Sequence, residues 1–215
     1  ALVGSAVGDA LGAPFEFGPA GRYTDRFPTP ATDSTEMVGN DLWEPGEFTD
    51  DTQMALCLAE SLLTQRLYDP ADIWTRWQAW STTAKDVGIL TRHALAHPTH
   101  HGAADRAAVA NGGRAAGNGA LMRNTPIGIY GAAWGDLVLE PLAADQAALT
   151  HADPEAATGA VLHALAISRA ITDDVDPIDA ITALTSYDFA RPFRHWLAPT
   201  WTPNDDRGLP NGTVW

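Results

Sequence analysis

The 215-residue chain is 45% hydrophobic and 19% charged, which suffices for one domain with a sizeable core and argues against a disordered chain. Its 27 acidic and 13 basic side chains give a formal net charge of −14, which excludes a protein that tracks nucleic-acid phosphates. The single cysteine excludes an internal disulfide, and the lack of a signal-peptide pattern or membrane-length apolar run predicts a cytoplasmic protein.

The segment from Ala1 to Ala13 predicts a helix with one glycine in every four residues, at Gly4, Gly8 and Gly12. These glycines share one helix face, so we expect another backbone to pack closely against it. Asp9 lies beside this face and is placed for burial at a helix junction. The stretch from Pro14 to Gly46 is rich in turn formers and predicts a long ordered loop, which is typical of functional regions.

The clearest helix follows Thr49, whose hydroxyl is placed to cap the helix start. Apolar residues follow at helical spacing: Met54, Ala55, Leu58, Ala59, Leu62 and Leu63. Asp69 before Pro70 is typical of a second helix start, and another helix is expected from Val87 to Ala96. The second helix carries tryptophans that suit a core or a partner surface: Trp74, Trp77 and Trp80.

Further along, the range from His100 to Gly119 predicts a loop with at most one short helical piece, and Leu121 to Ala133 predicts a helix with Pro126 near its start. Asp153 and Pro154 repeat the cap-plus-proline start. Small residues follow for close helix packing: Ala157, Ala160, Val161, Ala164, Leu165 and Ser168. A last helix is expected from Pro177 to Leu184, and the final 25 residues are proline-rich and irregular. No strand pattern occurs, so we expect an all-α fold.

Thr49, Asp50 and Asp51 form the first candidate site. Two carboxylates at a helix start have an ordinary explanation, because the positive end of the helix dipole favours negative charge. With the Thr49 hydroxyl they also form a cluster of hard oxygen donors, which suits Mg²⁺, Mn²⁺ or Ca²⁺. Adjacent residues on a helix diverge by about 100°. Each aspartate can therefore serve one of two neighbouring ions, or one aspartate can bind an ion while the other orients.

The second candidate site is Gly117-Asn118-Gly119. Glycines around an amide side chain permit a ligand to approach the backbone closely, and Asn118 can donate and accept the hydrogen bonds that ribose hydroxyls require. A plain Asn-Gly turn is the alternative interpretation. His151, just before the Asp153 cap, is the best placed histidine to face a ligand.

Glu16 is the third candidate, because it lies on a loop between Phe15 and Phe17. An acid flanked by aromatic rings can have a perturbed pKa or guard a cleft. A solvated surface glutamate explains the same pattern, and both interpretations stay open.

Taken together and in order, four segments resemble the ADP-ribosylglycohydrolase family, which includes the dinitrogenase-reductase-activating glycohydrolases and the ADP-ribosyl-acceptor hydrolases. They are Gly4 to Gly12 with Glu16, Gly46 to Met54, Gly117 to Arg123, and Thr150 to Pro154. Each segment is weak evidence alone, but four in this order are specific. The resemblance spans nearly the whole chain.

The resemblance implies one domain over residues 1–215, an all-α orthogonal multi-helix bundle that holds two divalent cations, Mg²⁺ or Mn²⁺. It implies a hydrolase that cleaves the bond between ADP-ribose and an acceptor, either a protein side chain or a small ADP-ribosyl compound. Thr49, Asp50 and Asp51 would be metal ligands, and Glu16 would join the two aspartates as a catalytic residue. The residues that would contact the substrate are Gly117, Asn118, Gly119, Met122 and His151.

One feature of the family does not occur in the sequence. The family carries its remaining metal ligands on a late Asp-x-Asp-Thr-type segment before a glycine- and alanine-rich helix, and Asp205-Asp206 precedes no such helix. We therefore expect residues 1–215 to lack half of the metal ligands and to show weak metal binding and little activity alone. The alternatives are an inactive homologue that binds ADP-ribose or a nucleotide, and a helical scaffold whose tryptophans face a partner.

Overall fold

The computed structural model describes residues 1–19, 21–29, 34–184 and 193. These residues form eleven α-helices and no β-strand, so the all-α prediction is confirmed for them. Two 3₁₀ turns, Ala13–Phe15 and Ser34–Glu36, lie in the segment between the first and third helices. The helices are α1 (Leu2–Gly12), α2 (Arg22–Arg26), α3 (Asp50–Gln65), α4 (Pro70–Ser81), α5 (Ile89–Leu95), α6 (Ala103–Ala110), α7 (Gly119–Met122), α8 (Thr125–Trp134), α9 (Asp136–Ala148), α10 (Pro154–Thr172) and α11 (Pro177–Leu184).

Three helices begin at the caps that the sequence predicts. The Thr49 hydroxyl accepts a hydrogen bond from the Asp51 backbone N–H at 3.3 Å. Asp69 accepts two backbone N–H donors at the start of α4, and Asp153 accepts the Glu155 N–H at 2.8 Å at the start of α10. Because a cap satisfies backbone donors that have no partner within the helix, these residues determine where α3, α4 and α10 begin.

The hydrophobic core lies between α3, α4, α8, α9 and α10. Its largest apolar side chains are less than 2% exposed: Met54, Leu58, Ile73, Trp77, Ile127, Leu139, Leu165 and Leu184. Trp74 is 2% exposed as well, so these tryptophans belong to the core and the partner-surface alternative is wrong for them. The sequence also placed Leu63 on the buried face of α3, but that side chain is 79% exposed.

Helices α8 and α10 approach each other closely at Gly128. A Cβ added to Gly128 would lie 2.7 Å from the Ile167 Cβ and 2.9 Å from the Ala164 carbonyl oxygen, so no side chain fits there. Ala160 and Ala164 on α10 are fully buried. The small-residue stripe predicted for α10 is therefore confirmed as a close helix contact.

Among the described residues, the corresponding prediction for α1 is wrong. A Cβ added to Gly4, Gly8 or Gly12 would meet nothing within 4 Å among the described atoms, and all three glycines are exposed. Helix α1 instead has its one buried residue, Ala10, on another face. Glycine spacing predicts which face allows close packing, but a neighbouring element must also lie against that face.

Three further regions differ from the prediction. The expected loop after Pro14 contains the short helix α2, and the single helix expected from Leu121 to Ala133 is divided at Arg123 and Asn124 into α7 and α8. Helix α9 was not predicted, and it carries Pro141 in its interior, a residue that usually ends a helix.

The proline-rich C-terminal residues, including Asp205-Asp206, lie outside the described residues apart from Phe193. No helix in the described part of the chain has the length and apolar character needed to cross a membrane.

Candidate functional site

The junction between α1 and α3 is held by the carboxylate of Asp9, which is half-buried as the sequence predicts. Its oxygens accept hydrogen bonds from the Thr49 N–H at 3.1 and 3.0 Å and from the Thr52 N–H at 3.1 Å. The Thr52 hydroxyl donates a further bond of 2.6 Å. Asp9 therefore fixes the turn that begins α3, and with it the two aspartates that follow Thr49.

Asp50 is the most buried member of a carboxylate cluster, defined here as Glu16, Asp50, Asp51 and Asp86. Its residue is 8% exposed. Burial raises the Asp50 pKa to about 7, and the negative charges of Asp51, Asp86 and Glu16 add to the effect of burial. A hydrogen bond from the Gly88 backbone N–H favours the ionised form and offsets part of this rise.

Asp51 behaves in the same way. Burial raises its pKa to about 6, the negative charge of Asp9 adds to this, and the hydrogen bond from Thr49 acts in the opposite direction. Both aspartates lie in the first turn of α3, where the helix dipole by itself stabilises the charged form. Burial and the negative charges of neighbouring carboxylates act against the dipole and raise both pKa values. The pair thus combines a helix-start position with a desolvated environment, and the helix-start and metal interpretations both stay open.

Glu16 joins the cluster from the loop that follows α1. The residue as a whole is exposed, whereas its carboxyl group is partly desolvated. Desolvation raises the Glu16 pKa to about 7, and the charges of Asp51, Asp86 and Asp9 add to it. Each of the two sequence interpretations of Glu16 thus describes part of its environment, an open loop position beside a group of carboxylates.

Asp86 is the cluster member that is not expected from the sequence. Its neighbour Lys85 makes an ion pair of 2.7 Å with Glu47 and lies 5.5 Å from the ring centroid of Trp43. These contacts hold the segment before α5 against the segment before α3. As a result, Asp86 lies near Asp50 and Glu16. No local pattern around Asp86 indicates this position, because it depends on contacts between residues that are distant in sequence.

The donor chemistry of the cluster suits a hard divalent cation. Carboxylate and hydroxyl oxygens are the ligands that Mg²⁺ and Mn²⁺ prefer, and a cation would relieve the repulsion that raises these pKa values. In the described ranges, however, no group of three or more His, Cys, Asp or Glu side chains is arranged to hold a metal ion. These residues thus supply suitable donors without a complete ligand set.

The glycine loop, Gly117-Asn118-Gly119, lies directly on His151. A Cβ at Gly117 would lie 3.0 Å from the His151 Nε2 atom, and a Cβ at Gly119 would lie 2.9 Å from its Cε1 atom. Gly119 is the first residue of α7, and neither glycine has a positive φ. Asn118 lies in a turn at the start of this helix, so the plain-turn interpretation and the ligand-binding interpretation both stay open. These positions are glycine because a histidine ring occupies the space of a side chain.

The remaining residues predicted to bind substrate differ in exposure. Asn118 is half-buried, and its side chain does not cap α7, which leaves its amide available to a ligand. Met122 packs against the hydrophobic core. His151 is only 3% exposed and supports the loop from behind. Asn118 is therefore the member of this group that offers a polar side chain at the surface.

The carboxylate cluster and the glycine loop meet at the start of α5. The Gly88 N–H is directed to Asp50, while Leu90 and Thr91, one turn further, contact the loop. The Leu90 Cδ1 atom would lie 3.2 Å from a Cβ at Gly117. Two segments that are separate in sequence thus form one site around a single helix end.

Comparison with known proteins gives a consistent result. The model of the ADP-ribosylglycohydrolase family matches residues 1–208. The ADP-ribosyl-[dinitrogen reductase] glycohydrolase of Rhodospirillum rubrum is 36% identical over 159 residues, which cover 72% of this chain and 51% of that protein. The ADP-ribosylarginine hydrolase Tri1 of Serratia proteamaculans is 35% identical over 140 residues, 60% of this chain and 35% of that protein.

A solved structure described as an ADP-ribosylglycohydrolase-related protein complex has the same fold. It superposes with a TM-score of 0.69 at 31% sequence identity and covers 99% of this chain and 69% of the solved chain. The present chain spans between about a third and about a half of the length of the two curated relatives.

Proposed function

Because this chain belongs to the ADP-ribosylglycohydrolase family, we propose that it hydrolyses the glycosidic bond between ADP-ribose and a modified acceptor. The observation that carries the proposal is the meeting of the carboxylate cluster and the glycine loop at the start of α5. The reaction needs groups that bind the sugar and groups that move a proton, and this arrangement offers both.

Asn118 is the proposed contact to ADP-ribose. Its amide can donate hydrogen bonds to the ribose hydroxyls and accept hydrogen bonds from them. The loop rests on a buried histidine and on α5, so it does not need to be ordered when the ligand binds. Such preorganisation lowers the entropic cost of binding.

Glu16 is the proposed proton acceptor. Desolvation and neighbouring carboxylates raise its pKa to about 7 in the metal-free protein. Bound cations would lower this pKa again and leave an ionised carboxylate that can accept a proton. Water adds through its oxygen to the anomeric carbon as the bond to the acceptor breaks. Glu16 takes one proton of that water, the acceptor atom leaves with the bonding electrons, and the proton held by Glu16 is passed on to the acceptor.

Thr49, Asp50 and Asp51 are the proposed metal ligands, because their oxygens have the donor chemistry that Mg²⁺ and Mn²⁺ prefer. When bound, such ions supply Lewis acidity and neutralise negative charge at the reacting centre. Asp9 holds these ligands in place through its bonds to Thr49 and Thr52.

The proposed acceptor is arginine. One relative is named an ADP-ribosylarginine hydrolase. Asp86 is a cluster carboxylate that is not among the proposed metal ligands, and it can complement a guanidinium group better than a neutral acceptor such as serine.

The test, on the intact protein rather than on residues 1–215 alone, is release of ADP-ribose from arginine- and serine-modified peptides, with Mg²⁺ or with EDTA. We expect Mg²⁺-dependent release that is faster from the arginine peptide. The double variant Asp50→Asn, Asp51→Asn should abolish release, while calorimetry should still detect the binding of ADP-ribose to it. Asp105→Asn is the matched control, since Asp105 is an exposed acid in the first turn of α6 and outside the site.

Two outcomes would contradict the proposal. Binding of ADP-ribose without any release would favour the inactive homologue, a function consistent with the incomplete metal-ligand set of the described residues. Equal release by the double variant and the wild type would remove Asp50 and Asp51 from the chemistry.

A further inference from the structure

A series of buried polar side chains runs behind the glycine loop and begins at Arg123. This arginine is 0% exposed, and its guanidinium group lies 3.9 Å from the ring centroid of Trp77. Its Nε atom donates to the Gln146 side chain at 3.0 Å, and its Nη2 atom donates to the Thr150 hydroxyl oxygen at 2.8 Å. Arg123 is thus a buried cation in the core of the protein, held by hydrogen bonds and by an aromatic ring.

The series continues from Thr150 to His151. The Thr150 Oγ1 atom lies 2.8 Å from the His151 Nδ1 atom, and Thr150 is fully buried. Arginine has only donors, so the Thr150 oxygen must accept from Arg123. The Thr150 hydroxyl hydrogen then needs an acceptor, because buried polar groups are almost always satisfied. Among its described partners, the His151 Nδ1 atom is the group that can accept it.

This direction of donation determines the tautomer of His151. A neutral imidazole carries one hydrogen, so a ring whose Nδ1 accepts must carry it on Nε2. Burial lowers the His151 pKa to about 3, and the positive charge of Arg123 lowers it further, so the ring is neutral at physiological pH. The opposite tautomer would leave the Thr150 hydrogen without an acceptor.

The Nε2 atom of this ring is the atom that faces the glycine loop. It would lie 3.0 Å from a Cβ at Gly117 and 3.2 Å from a Cβ at Gly119. We propose that Arg123 and Thr150 are positioning residues that fix His151 as the Nε2–H tautomer and so direct its N–H donor towards the ADP-ribose-binding loop. The part concerning ADP-ribose rests on the proposed function, whereas the tautomer does not.

The tautomer is tested by NMR on the full chain labelled with ¹⁵N-histidine. The His151 signals are assigned by their loss in His151→Gln. We expect Nδ1 in the range of an unprotonated ring nitrogen and Nε2 in the range of a protonated one. A wild-type spectrum with a protonated Nδ1 would overturn the proposal, whatever the stability of any variant.

The positioning role is tested with Thr150→Val, which keeps the shape of the side chain and removes its hydroxyl. We expect a mixture of His151 tautomers and an ADP-ribose dissociation constant raised by roughly five- to tenfold, the effect of one lost hydrogen bond. Thr150→Ser, which retains the hydroxyl, should restore both values. Thr75→Val is the matched control, because Thr75 is exposed on α4.

The outcomes separate this inference from the proposed function. If the wild type does not bind ADP-ribose, the proposed function fails while the tautomer result stands. If the wild type binds ADP-ribose and Thr150→Val binds it equally well with an unchanged spectrum, the positioning role is wrong.

Discussion

Asp50 is a single side chain whose ionisation makes the stability of the protein depend on pH. In the folded protein the Asp50 pKa rises from 3.8 to about 7. Between these values the folded state holds a proton that the unfolded state has released. Stability contributed by this carboxyl is therefore present at low pH and is lost as the pH rises towards 7. Burial lowers the pKa values of His151 and His163 to about 3 and about 4. The contribution of these histidines to the free energy of unfolding therefore increases as the pH rises through the acid range.

The variant Asp50→Asn separates the aspartate from the histidines, because an amide mimics the protonated carboxyl and cannot ionise. In EDTA, the free energy of unfolding of the variant should increase relative to wild type as the pH rises from 4.5 to 8. The difference should grow by on the order of a few kcal/mol, at about 1.4 kcal/mol per pKa unit. Urea denaturation followed by tryptophan fluorescence measures it. A difference that stays constant with pH, as we expect for Asp105→Asn, would contradict the raised Asp50 pKa.

At the scale of helices, the sequence predicted best what is decided locally. Caps at Thr49, Asp69 and Asp153 were predictable because a cap involves only the next few residues. The open glycine face of α1 was not predictable, because close packing depends on whether a distant element reaches that face. Helix α9 was missed for a related reason, since tertiary contacts retain a helix that contains Pro141.

Two glycine substitutions test the difference between α1 and α8. Gly4→Ala should raise the free energy of unfolding by roughly 0.5–1 kcal/mol, because alanine favours the helix and the described atoms leave the position open. Gly128→Ala should lower it by roughly 1–3 kcal/mol, because the new Cβ would collide with the α10 backbone. Thermal or urea unfolding measures both. Destabilisation by Gly4→Ala would show that another element packs on this face of α1.

Across the whole molecule, the candidate site combines motifs that the sequence analysis identified with residues that it could not connect. The glycine loop and the Thr49-Asp50-Asp51 segment were identified from their own patterns. Their meeting at the start of α5, and the addition of Asp86, depend on long-range contacts such as the ion pair of Lys85 with Glu47. The support of the loop by His151 is of the same kind, because it joins α7 to the start of α10.

The net charge of −14 gives any divalent cation a general attraction to this protein, so a metal test must separate site binding from screening. Binding at a site stabilises the folded state by RT ln(1 + [L]/Kd) and removes the repulsion among the cluster carboxylates. At matched ionic strength, replacing NaCl by MgCl₂ should therefore raise the melting temperature, by roughly 2–4 °C for each kcal/mol gained in a chain of this size. The gain should disappear in the Asp50→Asn, Asp51→Asn double variant and persist in Asp105→Asn. An equal gain in all three proteins would mean that Mg²⁺ acts on the overall charge, and the metal site proposed at the start of α3 would be wrong.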